Sequence, residues 1–171
     1  MGLHSESALA DEFCERSVHH LREEFLPRIE RAITQLGDAD LWWRPNPECT
    51  SAGNLLLHLE GNVRQWILSG LAQHMDERVR SSEFEAIDGA DSAALLARLR
   101  SAVLQACGLI RDANEETLMQ RHDIQIFEGV TGLAAILHVV EHFSWHTGQI
   151  AWIAKMRTGQ DLGYYEDDLL E

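Results

Sequence analysis

Apolar residues recur at spacings of three and four along four long stretches of this 171-residue chain. That is the helical period, and a chain so patterned must bury helix faces against helix faces. In the first stretch, from about Ser5 to Leu36, the stripe is Val18, Leu21, Phe25, Ile29, Ile33 and Leu36. Pro27 lies inside it; lacking a backbone donor, it either kinks the helix or splits it in two. Gly37 is a stop signal. The following segment, 38–50, holds two prolines and reads as a loop. Trp42 and Trp43 are large, and at least one is expected to plug an end of the core.

A Thr50 or Ser51 cap opens a second helix that runs to about Ala72, burying Leu55, Leu59, Val63, Trp66 and Ile67. Residues 73–90 read as a long polar, acidic connection. Asp91 caps a third helix, to about Ala113, with the stripe Leu95, Leu99, Val103, Ala106 and Ile110. Between Asn114 and Val130 the period is lost, and Ile124, Ile126 and Glu128 alternate as in a short extended piece. The fourth and most apolar helix starts near Thr131 and ends near Gly159. The expected fold is therefore all-α, a four-helix bundle in one domain spanning 1–171, with 160–171 an acidic C-terminal tail. The long second connection allows a crossover between helices 2 and 3.

Charge narrows the function. Acidic residues number 28 against 14 basic ones, a formal net charge of -14. Such a field repels phosphate backbones and anionic lipid, so no nucleic-acid partner is expected. No uninterrupted apolar run approaches about 18 residues, so no membrane span is expected either. Cys14, Cys49 and Cys107 are odd in number and form no CxxC pair, which points to reduced thiols and a cytoplasmic protein. The N-terminus lacks the basic-then-apolar pattern of a secretory signal.

The histidines carry the chemistry. The fourth helix reads HVVEHFSWHTGQI, placing His138, His142 and His146 four residues apart. Residues at i and i+4 share a helix face, and two imidazoles so placed can hold one metal ion. Three in a row climb too far to share it. With Ile136, Val140, Phe143, Thr147 and Ile150 as the inner face, His146 lies roughly 50° from its centre, His142 roughly 90° and His138 roughly 130°. His142 and His146 are therefore the better pair, and His138 is peripheral. HxxxH alone is common on helices that bind nothing. A third ligand must come from another helix, and His58, set among Leu55, Leu56, Leu57 and Leu59, needs a partner if it is buried. Three nitrogen ligands leave positions open, as catalytic metal sites do. Asn62 and Gln149 are candidates to support the ligands, or else pack helices by hydrogen bonds. Glu141 points elsewhere on the wheel. His4, His19, His20, His74 and His122 read as surface or loop residues.

The segments LWWRPNPECTSAGNLLLHLEGNVRQWI and LHVVEHFSWHTGQIAWI resemble the first loop, second helix and fourth helix of the DinB-like (YfiT-like) superfamily of metal-dependent enzymes. The HxxxHxGQI pattern is the most specific feature, and the likeness covers most of Leu41 to Arg157. The branch it resembles is described as a domain of unknown function. The resemblance implies a triad at His58, His142 and His146, one divalent ion such as nickel or zinc, and a homodimer. It implies chemistry like that of thiol transferases using a low-molecular-weight thiol such as bacillithiol, or of a mycothiol-dependent isomerase. Many relatives have arginine where this chain has Thr147, so an anion-binding role at that position is not implied.

The expected function is that of a divalent-metal-dependent enzyme whose three-histidine site activates a thiol or a water, for transfer to an electrophile or for hydrolysis. The alternative is a non-catalytic metal- or ligand-binding helical protein with a stress-related role. Trp145, Trp152 and Met156 form an apolar stripe on the outer side of the fourth helix. A homodimer is expected to bury it; the N-terminal region or the tail are the other candidates.

Overall fold

The computed structural model describes residues 3–165. The chain is mostly helical, and its elements follow the four apolar stretches. The first is α1 (Leu3–Val18), a π-helical segment His19–Phe25, and α2 (Leu26–Leu36). The helical backbone continues through Pro27 without a break. The turns widen just before the proline, with the Leu26 N–H reaching back to the Leu21 carbonyl. A π turn accommodates a residue that cannot donate to the i−4 carbonyl. Gly37 ends α2 at φ 73°, a left-handed backbone that glycine adopts without strain. A short α3 (Asp38–Leu41) follows.

The second stretch is α4 (Ala52–Val63) continued by a second π segment, Arg64–Ser69, and so ends before Ala72. Trp66, Ile67 and Leu68 are all buried there, more consecutive positions than one face of a regular α-helix covers. The connection read as irregular contains α5 (Arg80–Glu85). Next come α6 (Ser92–Arg111), capped by Asp91, and α7 (Glu115–Met119). The last element is α8 (Gly132–Thr158), capped by the Thr131 side chain and closed by Gly159 in the left-handed region.

The extended piece expected between Asn114 and Val130 is a small hairpin in an otherwise helical chain. β1 (Arg121–Ile124) and β2 (Phe127–Thr131) form an antiparallel hairpin, with an irregularity between His122 and Ile124. Its turn uses Gln125 at φ 58°, and buried Ile124 seats on the bare backbone of Gly70.

α2 packs on α8, α4 on both α6 and α8, and α1 on α6. Ile29, Ile33, Leu59, Val63, Leu99, Val103, Phe143 and Ile150 are wholly buried in one shared core. Each such side chain contributes roughly 1.5–3 kcal/mol of transfer free energy. On α8 the buried residue is Val139 rather than Val140, which turns the inner face toward the histidines. By length and composition α6 is apolar enough to cross a membrane, at mean hydropathy 1.4, although it holds no uninterrupted apolar run of that length. Its stripe from Leu95 to Ile110 lies in the core, and its Arg98 and Arg100 pair with Glu60 and Glu30. The start of the expected tail is docked: Leu162 is buried and the Tyr164 hydroxyl donates to the Arg28 carbonyl at 2.8 Å. The rest of it, 166–171, lies outside the described residues, as does the side chain of His4.

Candidate metal centre

The centre begins with a helix cap. Ser51 Oγ accepts from the Asn54 N–H at 3.1 Å, and Asn54 Oδ1 accepts from the Ser51 N–H at 3.0 Å. This reciprocal cap fixes where α4 starts and therefore which residues face inward. The other end of the same Asn54 side chain donates to the carbonyls of Glu83 (2.8 Å) and Ala86 (2.7 Å). Arg44 adds bonds to the carbonyls of Phe84 and Ala86. The six-residue α5, too short to persist alone, is thus held across the N-terminal part of α4.

One turn beyond Asn54, His58 is 5% exposed and meets α5. Its Nδ1–H donates to Glu83 Oε2 at 2.8 Å, and its ring lies 4.8 Å from that of Phe84. Arg78 grips both Glu83 oxygens, Nε to Oε1 at 2.7 Å and Nη2 to Oε2 at 3.0 Å. Burial by itself would raise the Glu83 pKa. The hydrogen bonds from His58 and Arg78, with the guanidinium charge, outweigh it and hold the carboxyl below the usual glutamate range. Gly61 makes this fit possible, because a Cβ there would collide with Glu83 Oε1 and Arg78 Nε.

α8 brings the other two rings. His142 Nε2 lies 2.8 Å from His58 Nε2, and the His146 ring is 4.5 Å from that of His142 and 5.1 Å from that of His58. One ring nitrogen from each of the three lies within 4.8 Å of the others. His146 Nδ1–H donates to Gln149 Oε1 at 2.6 Å, leaving its Nε2 bare. His58 Nε2 is likewise bare because its proton is on Nδ1. His142 must therefore supply the proton of the 2.8 Å contact. Burial pushes His142 down to about 3, helped by His146, His58, His138 and Arg78. Burial also lowers His146, against the hydrogen bond it donates to Gln149, and lowers His138. His142 and His146 are thus favoured as neutral imidazoles, the form that binds metal.

The donor set fits a divalent ion. A tetrahedral ion with bonds of 2.0–2.1 Å sets its nitrogens about 3.4 Å apart. The present spacings, from 2.8 Å to at most 4.8 Å, bracket that value. An open cavity of about 280 Å³, lined by His138, Glu141, His142, Trp145 and His146, leads to the cluster.

Of the residues singled out from sequence, His58, His142 and His146 come together and Gln149 touches His146. Asn62, 2% exposed, reaches His138 instead, Nδ2 to Nε2 at 3.1 Å, and its buried Oδ1 has no partner among the described residues. His138 sits beside the triad with its ring 5.3 Å from that of His142, stacked at 3.9 Å on Trp66. Glu141, expected to point elsewhere, lines the opening. His20, read as surface, is half-buried against Glu24 and Phe25. Sequence reasoning missed Glu83, Arg78 and Phe84. The one signal was Phe84, the single phenylalanine in a mostly polar connection.

These features define a mostly helical protein in which three histidines from α4 and α8 could hold a metal ion. The chain belongs to DUF1572, a family described as protein of unknown function, which matches residues 9–164. The fold is similar to that in a crystal structure of a conserved protein from Enterococcus faecalis. That likeness has a TM-score of 0.64 at 17% identity and covers 90% of this chain and 98% of that one. No curated protein matches the sequence.

Proposed function

We propose that His58, His142 and His146 hold one divalent ion, nickel, zinc or similar, in a metal-dependent enzyme of the DinB-like kind. In this reading the four long helical stretches are a DinB-like four-helix bundle with a crossover between the second and third. The chemistry is thiol transfer to an electrophile, or hydrolysis. The observation that carries the reading is the convergence of three ring nitrogens within 4.8 Å, beside an open cavity that His142 and His146 line. The bound ion would supply Lewis acidity, lowering the pKa of a thiol or water. The chain's own part is to supply three neutral donors, so that the site adds no negative charge to offset the ion. Glu83 and Gln149 orient two of those donors from behind. Trp145 and Glu141 border the space a small substrate would enter.

Elemental analysis of tag-free protein tests this directly. The wild type should carry about one equivalent of divalent metal (the donor count of a three-histidine site), and His58→Ala should carry none. Full occupancy in His58→Ala would sink the proposal. Turnover on thiol and electrophile panels should vanish in His142→Ala. Metal retained with no turnover on any substrate would reassign the chain to a non-catalytic metal-binding role.

The same reading includes a homodimer. Trp145 is 72% exposed and Trp152 62%, with Met156 also exposed on α8. A second copy covering this face would remove that surface from water. Light scattering across a concentration series should give a dimer mass that Trp152→Glu abolishes; a wild-type monomer throughout defeats the idea.

A further inference from the structure

We propose that Glu83, clamped by Arg78, is a positioning residue of the centre. Its carboxylate holds His58 as the Nδ1–H tautomer and so aims the bare Nε2 at His142 and His146. The inference rests on the reading of these three histidines as ligands, and deepens it by naming what sets the buried one.

Three observations carry it. The His58–Glu83 contact is 2.8 Å between side chains 6% and 8% exposed, so water does not compete for it. The carboxylate has no freedom of its own: Arg78 binds both oxygens and the backbone of Gly61 leaves just enough room. The pair is also not needed merely to dock α5. Asn54 and Arg44 already hold its backbone at Glu83, Phe84 and Ala86, and the Phe84 ring packs against His58. An apolar residue at 83 would serve docking without the cost of desolvating a carboxylate and a guanidinium. The task the geometry shows is at His58. With the proton fixed on Nδ1, Nε2 presents a lone pair 2.8 Å from His142 Nε2. The opposite tautomer would present an N–H there and could not bind an ion.

The test uses the full chain, as wild type, Glu83→Ala, Glu83→Gln and His142→Ala. Two quantities are read: the ring tautomer of His58 in metal-free protein, by long-range nitrogen–proton NMR, and zinc affinity, by chelator competition. A purely structural role for Glu83 would leave the tautomer of a folded protein unchanged. Wild-type His58 should be the Nδ1–H form. Glu83→Ala should lose that fixation and bind zinc about 10–100-fold more weakly. Glu83→Gln keeps an oxygen acceptor and should restore the tautomer and part of the affinity. Should Glu83→Ala fail to fold, Glu83→Gln decides: the Nε2–H tautomer with undiminished zinc affinity overturns the proposal. Equal affinity in wild type and Glu83→Ala, with binding lost in His142→Ala, overturns the role of Glu83 while the ligand set stands. Equal affinity in wild type and His142→Ala removes the ligand set, and this proposal with it.

Discussion

The two halves of the histidine cluster are built differently. On the α4 side His58 is buried and braced by a carboxylate that is itself gripped by Arg78. On the α8 side His142 and His146 are only half-buried, and the bracing partner, Gln149, is exposed. The first half depends on desolvated charge, so breaking it disturbs folding. The second depends on the pitch of a long helix anchored by Val139, Phe143 and Ile150, so its histidines can change with little harm to the fold.

Arg78→Ala is the strongest way to break the contrast. It strands the Glu83 carboxylate in the interior and should cost about 3–5 kcal/mol, read from urea unfolding of metal-free protein. A loss under about 1 kcal/mol, the scale of an exposed pair, would mean the two halves are alike. Gly61→Ala attacks the same half sterically, forcing Glu83 and Arg78 aside, and should cost about 1–3 kcal/mol in the same assay.

The α8 half should show itself in pH. His142 is held down to about 3 in the folded chain, against 6.5 as its ordinary value. Below 6.5 the unfolded chain therefore binds more protons, so this contribution to stability is present above 6.5 and declines as pH falls toward 3. His146 and His138 act in the same direction. Glu83 is depressed from 4.5, so its contribution is present above 4.5 and declines only below it, leaving the window between 6.5 and 4.5 to the histidines. Metal-free wild type should lose stability on going from pH 6.5 to 5, and His142→Ala should lose less. Parallel pH profiles would contradict this. The smallest effect belongs to Gln149→Ala, which removes one exposed hydrogen bond and should weaken zinc binding by about 0.5–1.5 kcal/mol.

What the sequence made legible follows the same division. The caps at Ser51, Asp91 and Thr131, the core stripes and the α8 histidines are local in sequence and governed by helical period. His58 was readable because a histidine among leucines needs a partner. The identity of that partner was not readable, since Glu83 lies 25 residues away in a segment with no apolar period. Its helix is stabilised by contacts from Asn54 and Arg44, 29 to 42 residues distant, rather than by its own pattern. The hairpin escaped in part for a similar reason: only Ile124 of its strands is fully buried, so alternation was weak.

His58 and His142 are separated by 84 positions along the chain. A polypeptide emerging from the ribosome has His58, Arg78 and Glu83 in hand long before α8 exists. The buried brace can therefore assemble co-translationally while two of the three ring nitrogens are still unsynthesised. During synthesis, an ion that needs all three rings would arrive too late to nucleate the early fold and would act as a late clasp, fastening the last long helix to one made much earlier.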